Sequence, residues 1–600
     1  MLIAMLLAVQ ACHPPIHLNY TISMRLNQNR ARELLLLIGL CGFFFFFRLS
    51  GIGLLGPDEP RYAQVAREML AGHDWVTPVL YGHPWLEKPI LLYWGEMLSY
   101  AIFGVSDWAA RVPSAVAATL LVFGTFITVR RIRFEARLDA ALMVASAVLV
   151  LGFARAAATD MLLAAPFSLS LLAWFCWYES CADPTHARPG VGGAPAGESS
   201  ARFWLVLFYA LNALAMLAKG PVAPALAALV LIAFCATQRN LRALLRTLDP
   251  IGLAVFFAVA APWYVLIQLR TPEFFRVFIL EHNLARFGSN LYRHKQPFWY
   301  YIPVALAGTL PWTVWLFHGL TDAARALRSQ LSGTTPKTEL SEAGEPADAP
   351  AFTFEIFLMA SALIPIAFFS LSHSKLPGYI LPAIPALLIL AAVAIHRRAA
   401  RDERPHWISI TVHAVVLAAI AAGLCAAPQL VFKLPLSAAN LMIAAFAGTV
   451  IFLIAALPLL TAGWRMLRFV TLLPFILAVG FLLRGLAPVV DATQSSRPVA
   501  ARLQQIDEPG SLPLATFALN RNTAFGLAFY LNRRVAPYEG LEISPAVYEL
   551  PAAIPTSAHI LVTREDSLPA LRLLLPERGI RFLGSYPLQH IEFYEISPAP

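Results

Sequence analysis

Between residues 33 and 487 the chain repeats one pattern: an apolar run of near-spanning length, a short polar or basic break, then another run. Roughly 17–25 apolar residues cross a bilayer as a helix. About thirteen stretches qualify, near 33–53, 109–130, 138–155, 161–181, 203–218, 220–237, 250–268, 299–319, 354–371, 378–395, 408–427, 438–460 and 467–487. With 58% hydrophobic and only 14% charged residues, the chain has too little polar surface to cover these runs in water. The expected fold is a polytopic α-helical membrane protein. Segment 90–103 (ILLYWGEMLSYAIF) is apolar too, but it is short and contains Glu96, so it reads as an interfacial helix.

That choice sorts the charges. With 90–103 left out of the spans, five basic loops share one side with Arg25, Arg30 and Arg32: 130–137, 238–246, 323–328, 396–406 and 464–468. Basic loops mark the cytoplasmic side. The net charge of +9 is therefore topological, and a nucleic-acid partner is not expected. The opposite, periplasmic face keeps small charged motifs at span ends: ATDM (158–161), LAKGP (217–221), EHNLARF (281–287) and SHSKLPGY (372–379). Charges at the mouth of a helix bundle are costly unless they pair or bind something.

The first outer loop, 56–108, opens with Gly56-Pro57-Asp58-Glu59-Pro60. Tyr62, Val65, Ala66, Met69 and Leu70 follow at helical spacing, with Arg61, Gln64, Arg67 and Glu68 opposite. Pro60 suits a first turn and Gly72 a stop. This predicts a short amphipathic helix lying on the bilayer surface. Glu87-Lys88-Pro89 closes the stretch.

Residues 1–23 read as an extension from an upstream start, because the apolar MLIAMLLAVQACHPP has no basic leader and Met24 begins a second start-like stretch. The unit 24–490 is the membrane domain. Within it, 183–202 (Gly/Pro/Ala-rich) and 329–351 (polar, acidic) read as cytoplasmic connectors. From 491 to 600 the apolar runs shorten to strand length (LPLATF, RVAPY, HILVT, IRFLGSYPL, IEFYEI), with helical patterns at 497–506 and 567–575, as in a small periplasmic α/β domain. No internal repeat and no inverted pair of broken helices is apparent. Six cysteines, mostly within apolar runs, suggest neither a disulfide framework nor a cysteine metal site.

Each candidate for chemistry has a plainer alternative. Asp58 suits a catalytic or substrate-orienting acid, or an N-cap; Glu59 could share either task. Lys88, Lys219, Arg286 and Lys375 are cations on the face where positive charge is scarce, fit to seat a phosphate, or else to snorkel to headgroups. Tyr379 is a neighbouring donor for Lys375. Glu87 and His282, with Glu281 as a spare, are the candidate ligands for a divalent metal, the only cofactor considered; a simple hydrogen bond explains them equally. Asp160 either pairs with Arg155 or orients a sugar. No Gly-rich phosphate loop, nucleotide fingerprint or Ser-His-Asp signature occurs, so no nucleotide cofactor is implied, and a phosphate site at the bilayer surface points to a lipid phosphate.

GPDEPRYAQVAREMLAGHDWVTPVLYGHPWLEKPILLYW resembles the first outer loop of the GT-C superfamily of polyprenyl-phosphate-sugar glycosyltransferases. LAKGP, EHNLARF, QPFWYYIPVALAGTLPW and FFSLSHSKLPGYILPAIP follow in the family's order. From about Met24 onward the chain is similar to glycosyltransferase family 39 (protein O-mannosyltransferase-like) and, within it, to the bacterial aminoarabinose transferases of lipid A. The resemblance implies an inverting transferase of the inner membrane with a periplasmic site and an undecaprenyl-phosphate-linked sugar donor. Its acceptor would be lipid A, a protein or another glycolipid, and membrane lipids its surroundings. It makes Asp58 the essential first-loop acid, gives Lys88 of the Glu87-Lys88 pair a contact with the carrier phosphate, and puts Asp160, Lys219, His282 and Arg286 at further motif positions. A lipid-linked-sugar transporter is the rival from another class. It would carry ionisable groups at the membrane midplane, where this chain has few.

Overall fold

The computed structural model describes residues 19–182, 198–285, 296–332, 352–431, 437–507, 510, 512–544 and 548–599. Helix α1 (Asn19–Cys41) ends in a π-turn through Phe46 and leads to the first loop. That loop holds α2 (Asp58–Ala71), a hairpin of β1 (Val79–Leu80) and β2 (His83–Pro84), and α3 (Leu91–Phe103). The bundle continues with α4 (Asp107–Ile132), α5 (Arg137–Ser146), α6 (Val148–Ala154), α7 (Thr159–Ala182), α8 (Glu198–Lys219), α9 (Val222–Thr237) and α10 (Pro250–Arg270). It closes with α11 (Tyr301–Gly308), α12 (Thr313–Leu331), α13 (Thr353–Leu371), α14 (Pro377–Ala400), α15 (Trp407–Val431), α16 (Ala438–Ala462) and α17 (Trp464–Gln494). The chain is a multi-pass helical membrane protein.

Among the described residues, nine helices are long and apolar enough to cross a bilayer, or ten if the helices on either side of Ala147 are one span bent by 60°. The other three expected spans are helical but shorter or broken. The run at 33–53 leaves the helix after Phe46, 220–237 gives a 16-residue helix, and 299–319 is interrupted between Gly308 and Thr313. Pro311 lacks the N–H that would continue that helix. Ala147 has no such excuse. The Val148 amide bonds the Leu310 carbonyl (3.0 Å), and Trp312 Nε1 donates to Ser146 Oγ (2.8 Å). Each break therefore satisfies the other, and a pair of interrupted helices exists that the sequence did not betray.

Helix α3 has 13 residues, about 20 Å of rise against a hydrocarbon core of about 30 Å. It packs on α2 and α4, while Leu98, Ile102 and Phe103 stay exposed, as in a helix lodged at the bilayer edge. The basic loops meet at one end of the bundle. Arg137 pairs with Glu33 (2.8 Å), Arg398 with Asp322 (2.6 Å), Arg468 with Asp139 (2.5 Å), and Arg397 with Glu355. Helix α1 begins at Asn19, ahead of Met24, while α8 begins at Glu198 and α12 runs to Leu331, so parts of both expected connectors are helical.

The C-terminal α/β domain follows α17 at the other end. It holds α18 (Arg497–Ile506), α19 (Arg521–Leu531) and α20 (Leu568–Leu574). Its five-stranded sheet has the order β4 (Val535–Pro537), β3 (Leu514–Phe517), β7 (His559–Arg564), β9 (Ile591–Ile596), β8 (Ile580–Tyr586). β3 runs parallel to β4 and β7, and β9 is antiparallel to β7 and β8. A separate hairpin joins β5 (Leu541–Ser544) and β6 (Tyr548–Leu550).

The expected amphipathic helix α2 forms, and its polar side is covered as well as its apolar one. Arg61 and Gln64 are buried along with Tyr62, Val65 and Met69, because α19 of the C-terminal domain packs over α2. Arg67 donates to the Phe529 carbonyl (2.8 Å), and Tyr81 stacks on Phe525. Arg497 clamps the domain to the loop through Asp107 and Asp491 (2.7 Å each) and the Ser50 carbonyl.

Candidate active site

Pro57 and Pro60 flank the start of α2, which puts Asp58 in the first turn, where a carboxylate is favoured by the helix dipole. Asp58 makes no capping bond. It accepts from Arg61 Nη2 at 2.5 Å, one turn on, and its side chain remains 53% exposed. The same nitrogen lies 3.9 Å from Glu87 Oε2. The guanidinium sits 4.7 Å from the Trp85 ring centroid, sandwiched on α2 by the closing segment of the loop. Burial works against its charge, but Glu87 and Asp58 outweigh that and hold it firmly protonated. Arg61 thus joins Asp58 to Glu87. Lys88 follows, half-buried, before α3.

Glu59, expected to share the chemistry, is built into the scaffold instead. Its oxygens accept from Arg111 Nε (3.0 Å) and Nη2 (2.7 Å), the Ala157 amide (2.7 Å) and the Leu55 amide (2.7 Å). Arg111 turns its remaining donors to the carbonyls of Leu49, Ile52 and Gly53, so all five of its N–H groups are used. A buried ion pair satisfied on both sides is a structural joint. It ties the start of α2 to the segment that precedes α7, and so brings Asp58 and Asp160 to one neighbourhood.

Asp160 lies in the first turn of α7 and Lys219 at the last residue of α8, where Gly220 (φ +88°) ends the helix by returning its amide to the Met216 carbonyl. Lys219 Nζ donates to Asp160 Oδ1 at 2.6 Å. Asp160 is therefore not paired with Arg155, which donates to the Phe44, Phe47 and Arg48 carbonyls at the end of the first helix. The Lys219 ammonium also lies 4.8 Å from the centroid of the Tyr379 ring. Gly378 permits this approach: a Cβ there would fall 2.5 Å from Asp160 Oδ1 and 2.6 Å from Phe153 Cζ. Lys375 is buried and donates to the carbonyls of Ser372 and Gln296.

Arg286 lies outside the described residues, as do the side chains of Glu281 and His282. Of the two candidate metal ligands only Glu87 is described, and it faces a guanidinium where a dication would otherwise sit. Among the described residues, no three His, Cys, Asp or Glu side chains form a metal-sized cluster. No step below is routed through a metal.

Arg61 and Arg111 escaped the sequence reading. The i, i+3 spacing of Asp58 and Arg61 was the available signal for the first. For the second, it was an arginine one turn inside an apolar span, which must find partners.

The family model of dolichyl-phosphate-mannose-protein mannosyltransferases matches residues 52–278, which include both clusters apart from Lys375 and Tyr379. The undecaprenyl phosphate-α-4-amino-4-deoxy-L-arabinose arabinosyl transferase of Erwinia tasmaniensis is 30% identical over 469 residues, 76% of this chain and 77% of that protein. The proteins of the same name from Aeromonas hydrophila (30% identical) and Pseudomonas aeruginosa UCBPP-PA14 (32% identical) align over 59% and 61% of this chain. Those alignments cover 58% and 59% of the two relatives, under two thirds of their length. Among solved structures, ArnT from Cupriavidus metallidurans bound to undecaprenyl phosphate superposes with a TM-score of 0.70 at 25% identity, covering 94% of this chain and 97% of that one. Its apo form gives 0.69 at 24% identity.

Proposed function

The chain belongs to the family of undecaprenyl phosphate-α-4-amino-4-deoxy-L-arabinose arabinosyl transferases, and on that premise we propose that it moves 4-amino-4-deoxy-L-arabinose from undecaprenyl phosphate to a lipid A phosphate. The reaction takes place at the periplasmic face of the bacterial inner membrane. One observation supports the reading: Glu59, next to Asp58, accepts from the Ala157 amide three residues before Asp160, which ties the loop bearing Asp58–Arg61–Glu87 to the helix start bearing Asp160–Lys219–Tyr379. The basic loops gather at the far end of the bundle from the C-terminal domain, and by charge bias that end is cytoplasmic.

In this reading the acceptor oxygen attacks the anomeric carbon of the sugar from the face opposite the carrier. The bond from that carbon to the phosphate oxygen breaks, and its electron pair leaves with undecaprenyl phosphate. Configuration inverts. A lipid A phosphate is already ionised near neutral pH, so no base is required. Asp58, half-exposed and steadied by Arg61, orients the nucleophile and favours oxocarbenium character at the sugar. Lys88 and Lys219, the latter over the Tyr379 ring, neutralise the departing phosphate, a preorganised electrostatic effect. Lys375 joins them by exchanging its carbonyl partners for phosphate oxygens.

The match to protein mannosyltransferases at 52–278 favours one second reading, a Ser/Thr hydroxyl as acceptor, for which Asp58 must take the proton. The test reconstitutes the purified protein in liposomes with the lipid-linked aminoarabinose donor and either lipid A or a Ser/Thr-rich peptide. Mass spectrometry then reads the products. Lipid A gains one sugar with wild type and none with Asp58→Asn. Glycosylated peptide with unmodified lipid A moves the assignment to the second reading, and transfer to neither acceptor ends both.

A further inference from the structure

Beneath the first-loop site lies a carboxyl group that nothing above uses. Glu96 on α3 has no solvent exposure, and neither of its oxygens meets a hydrogen-bond partner among the described residues. One turn before it, the Tyr93 hydroxyl is equally buried, and its oxygen faces the Trp85 N–H, which leaves its own proton without an acceptor among the described residues; one turn after it, Ser99 Oγ is buried without a partner there. Buried polar groups in folded proteins are matched by protein or by ordered water. Glu96, with Tyr93 and Ser99 one turn to either side, supplies the two to four contacts that a buried water needs.

We propose that Glu96 is a positioning residue that serves as the neutral acid, sharing buried water with Tyr93 and Ser99 and so fixing the Tyr93–Trp85 wall behind Arg61. Tyr93 is within electrostatic reach of Glu96, Arg61 and Glu87, its hydroxyl hydrogen-bonds Trp85, and its ring meets Tyr62 edge-on with centroids 6.2 Å apart. Trp85 in turn supports the Arg61 guanidinium at 4.7 Å. A shift of Tyr93 therefore reaches the residue that holds Asp58 and Glu87.

Among the described residues, Glu96 has no counter-ion. The charge that acts on it is Glu59, which is taken up by Arg111, and Arg111 has no donor left. On α2 the remaining ionisable groups near this seam are committed: Arg61 to Asp58 and Glu87, Arg67 to the Phe529 carbonyl, while Tyr62 is buried. On α4, Asp107 pairs with Arg497. On α7 and α8, which also touch α3, Asp160 and Lys219 pair with each other. Tyr100, on α3 itself, donates to the Ala63 carbonyl. Burial first, and Glu59 second, push the Glu96 carboxyl well above the usual carboxylate range.

As a role in sugar transfer this rests on the reading above, so the test has an arm free of activity. Infrared spectra of the full protein in lipid should show a protonated-carboxyl C=O band near neutral pH that Glu96→Gln removes. In the transfer assay, wild type should lose turnover toward alkaline pH as Glu96 ionises, while Glu96→Gln keeps near-wild-type turnover and loses that limb. Glu96→Leu should fold with an unchanged or raised Tm, yet lower kcat about tenfold with little change in KM for the donor, because the wall is no longer tethered. A missing band, or a Glu96→Leu protein with wild-type kcat and pH profile, overturns the proposal. A band present in a protein that transfers no sugar keeps the neutral acid and removes the transferase reading instead.

Discussion

Lys219 Nζ donates to Asp160 Oδ1 over 2.6 Å, with both side chains only 17% exposed. The pair joins the end of α8 to the start of α7 and holds the ammonium over Tyr379. A charge-assisted bond of this kind is worth about 1.5–3 kcal/mol. Asp160→Asn keeps the shape but loosens the ammonium, and transfer should fall roughly 10–100-fold, as that energy implies. Lys219→Met removes the cation for the leaving phosphate and should fall at least as far. Turnover of purified variants in the donor-to-acceptor assay checks both. Asp160→Asn within twofold of wild type would sink the role given to this pair.

Gly378 tests the same cluster from the packing side. An added methyl would meet Asp160 and Phe153 well inside van der Waals contact, and overpacking of that size costs about 1–3 kcal/mol. Gly378→Ala should therefore lower transfer by displacing Asp160, with a Tm loss of only a few degrees. A wild-type rate from a well-folded Gly378→Ala protein would show that the Asp160 position is not critical.

The spans were legible because lipid demands one thing of a helix, apolar length, and the sequence displays that directly. Keeping 90–103 out of the count was likewise readable from its short length and Glu96. The site was only partly legible. Helical periodicity identified the apolar face of α2 but could not say what covers the other face, and the cover, α19, comes more than 450 residues later. Arg61 and Arg111 look in sequence like any arginine near a span end, and only tertiary structure separates a buried hub from a snorkelling side chain. The break at Ala147 carries no Pro or Gly because its cause is the Leu310 carbonyl and Trp312 in the distant interruption between α11 and α12.

Arg61 makes a sharper demand. Its contact with Asp58 is half-exposed and screened by water, so the stability it contributes comes mainly from the buried Glu87 side and the Trp85 ring. Arg61→Met leaves Glu87 buried without its cation and should cost about 3–5 kcal/mol. Arg61→Lys should recover little, since an ammonium cannot span Asp58 and Glu87 or stack on Trp85. Pairing Arg61→Met with Glu87→Gln should restore part of the loss. Thermal unfolding of Arg61→Met, Glu87→Gln and the double variant in detergent gives the cycle, and additive losses would mean that Arg61 and Glu87 do not depend on each other.

In the C-terminal domain, His559 on β7 has no solvent exposure; its Nδ1 faces the Ser557 carbonyl at 2.8 Å, and Nε2 meets the Tyr538 hydroxyl. A neutral ring that donates from Nδ1 and accepts at Nε2 fits these partners. Burial holds its pKa below the ordinary 6.5, outweighing the opposing effect of the Ser557 bond and aided by the weaker influence of the Arg578 charge. The unfolded chain therefore binds the proton more readily than the folded one. The stabilisation is complete above the ordinary value and declines as pH falls through it toward the folded value, by at most about 1.4 kcal/mol per pH unit. Hydrogen-exchange protection factors in β3, β7 and β9 of the intact protein should fall on acidification across this window, and His559→Gln should flatten the dependence. Protection in these strands that does not change with pH would refute a neutral, buried His559.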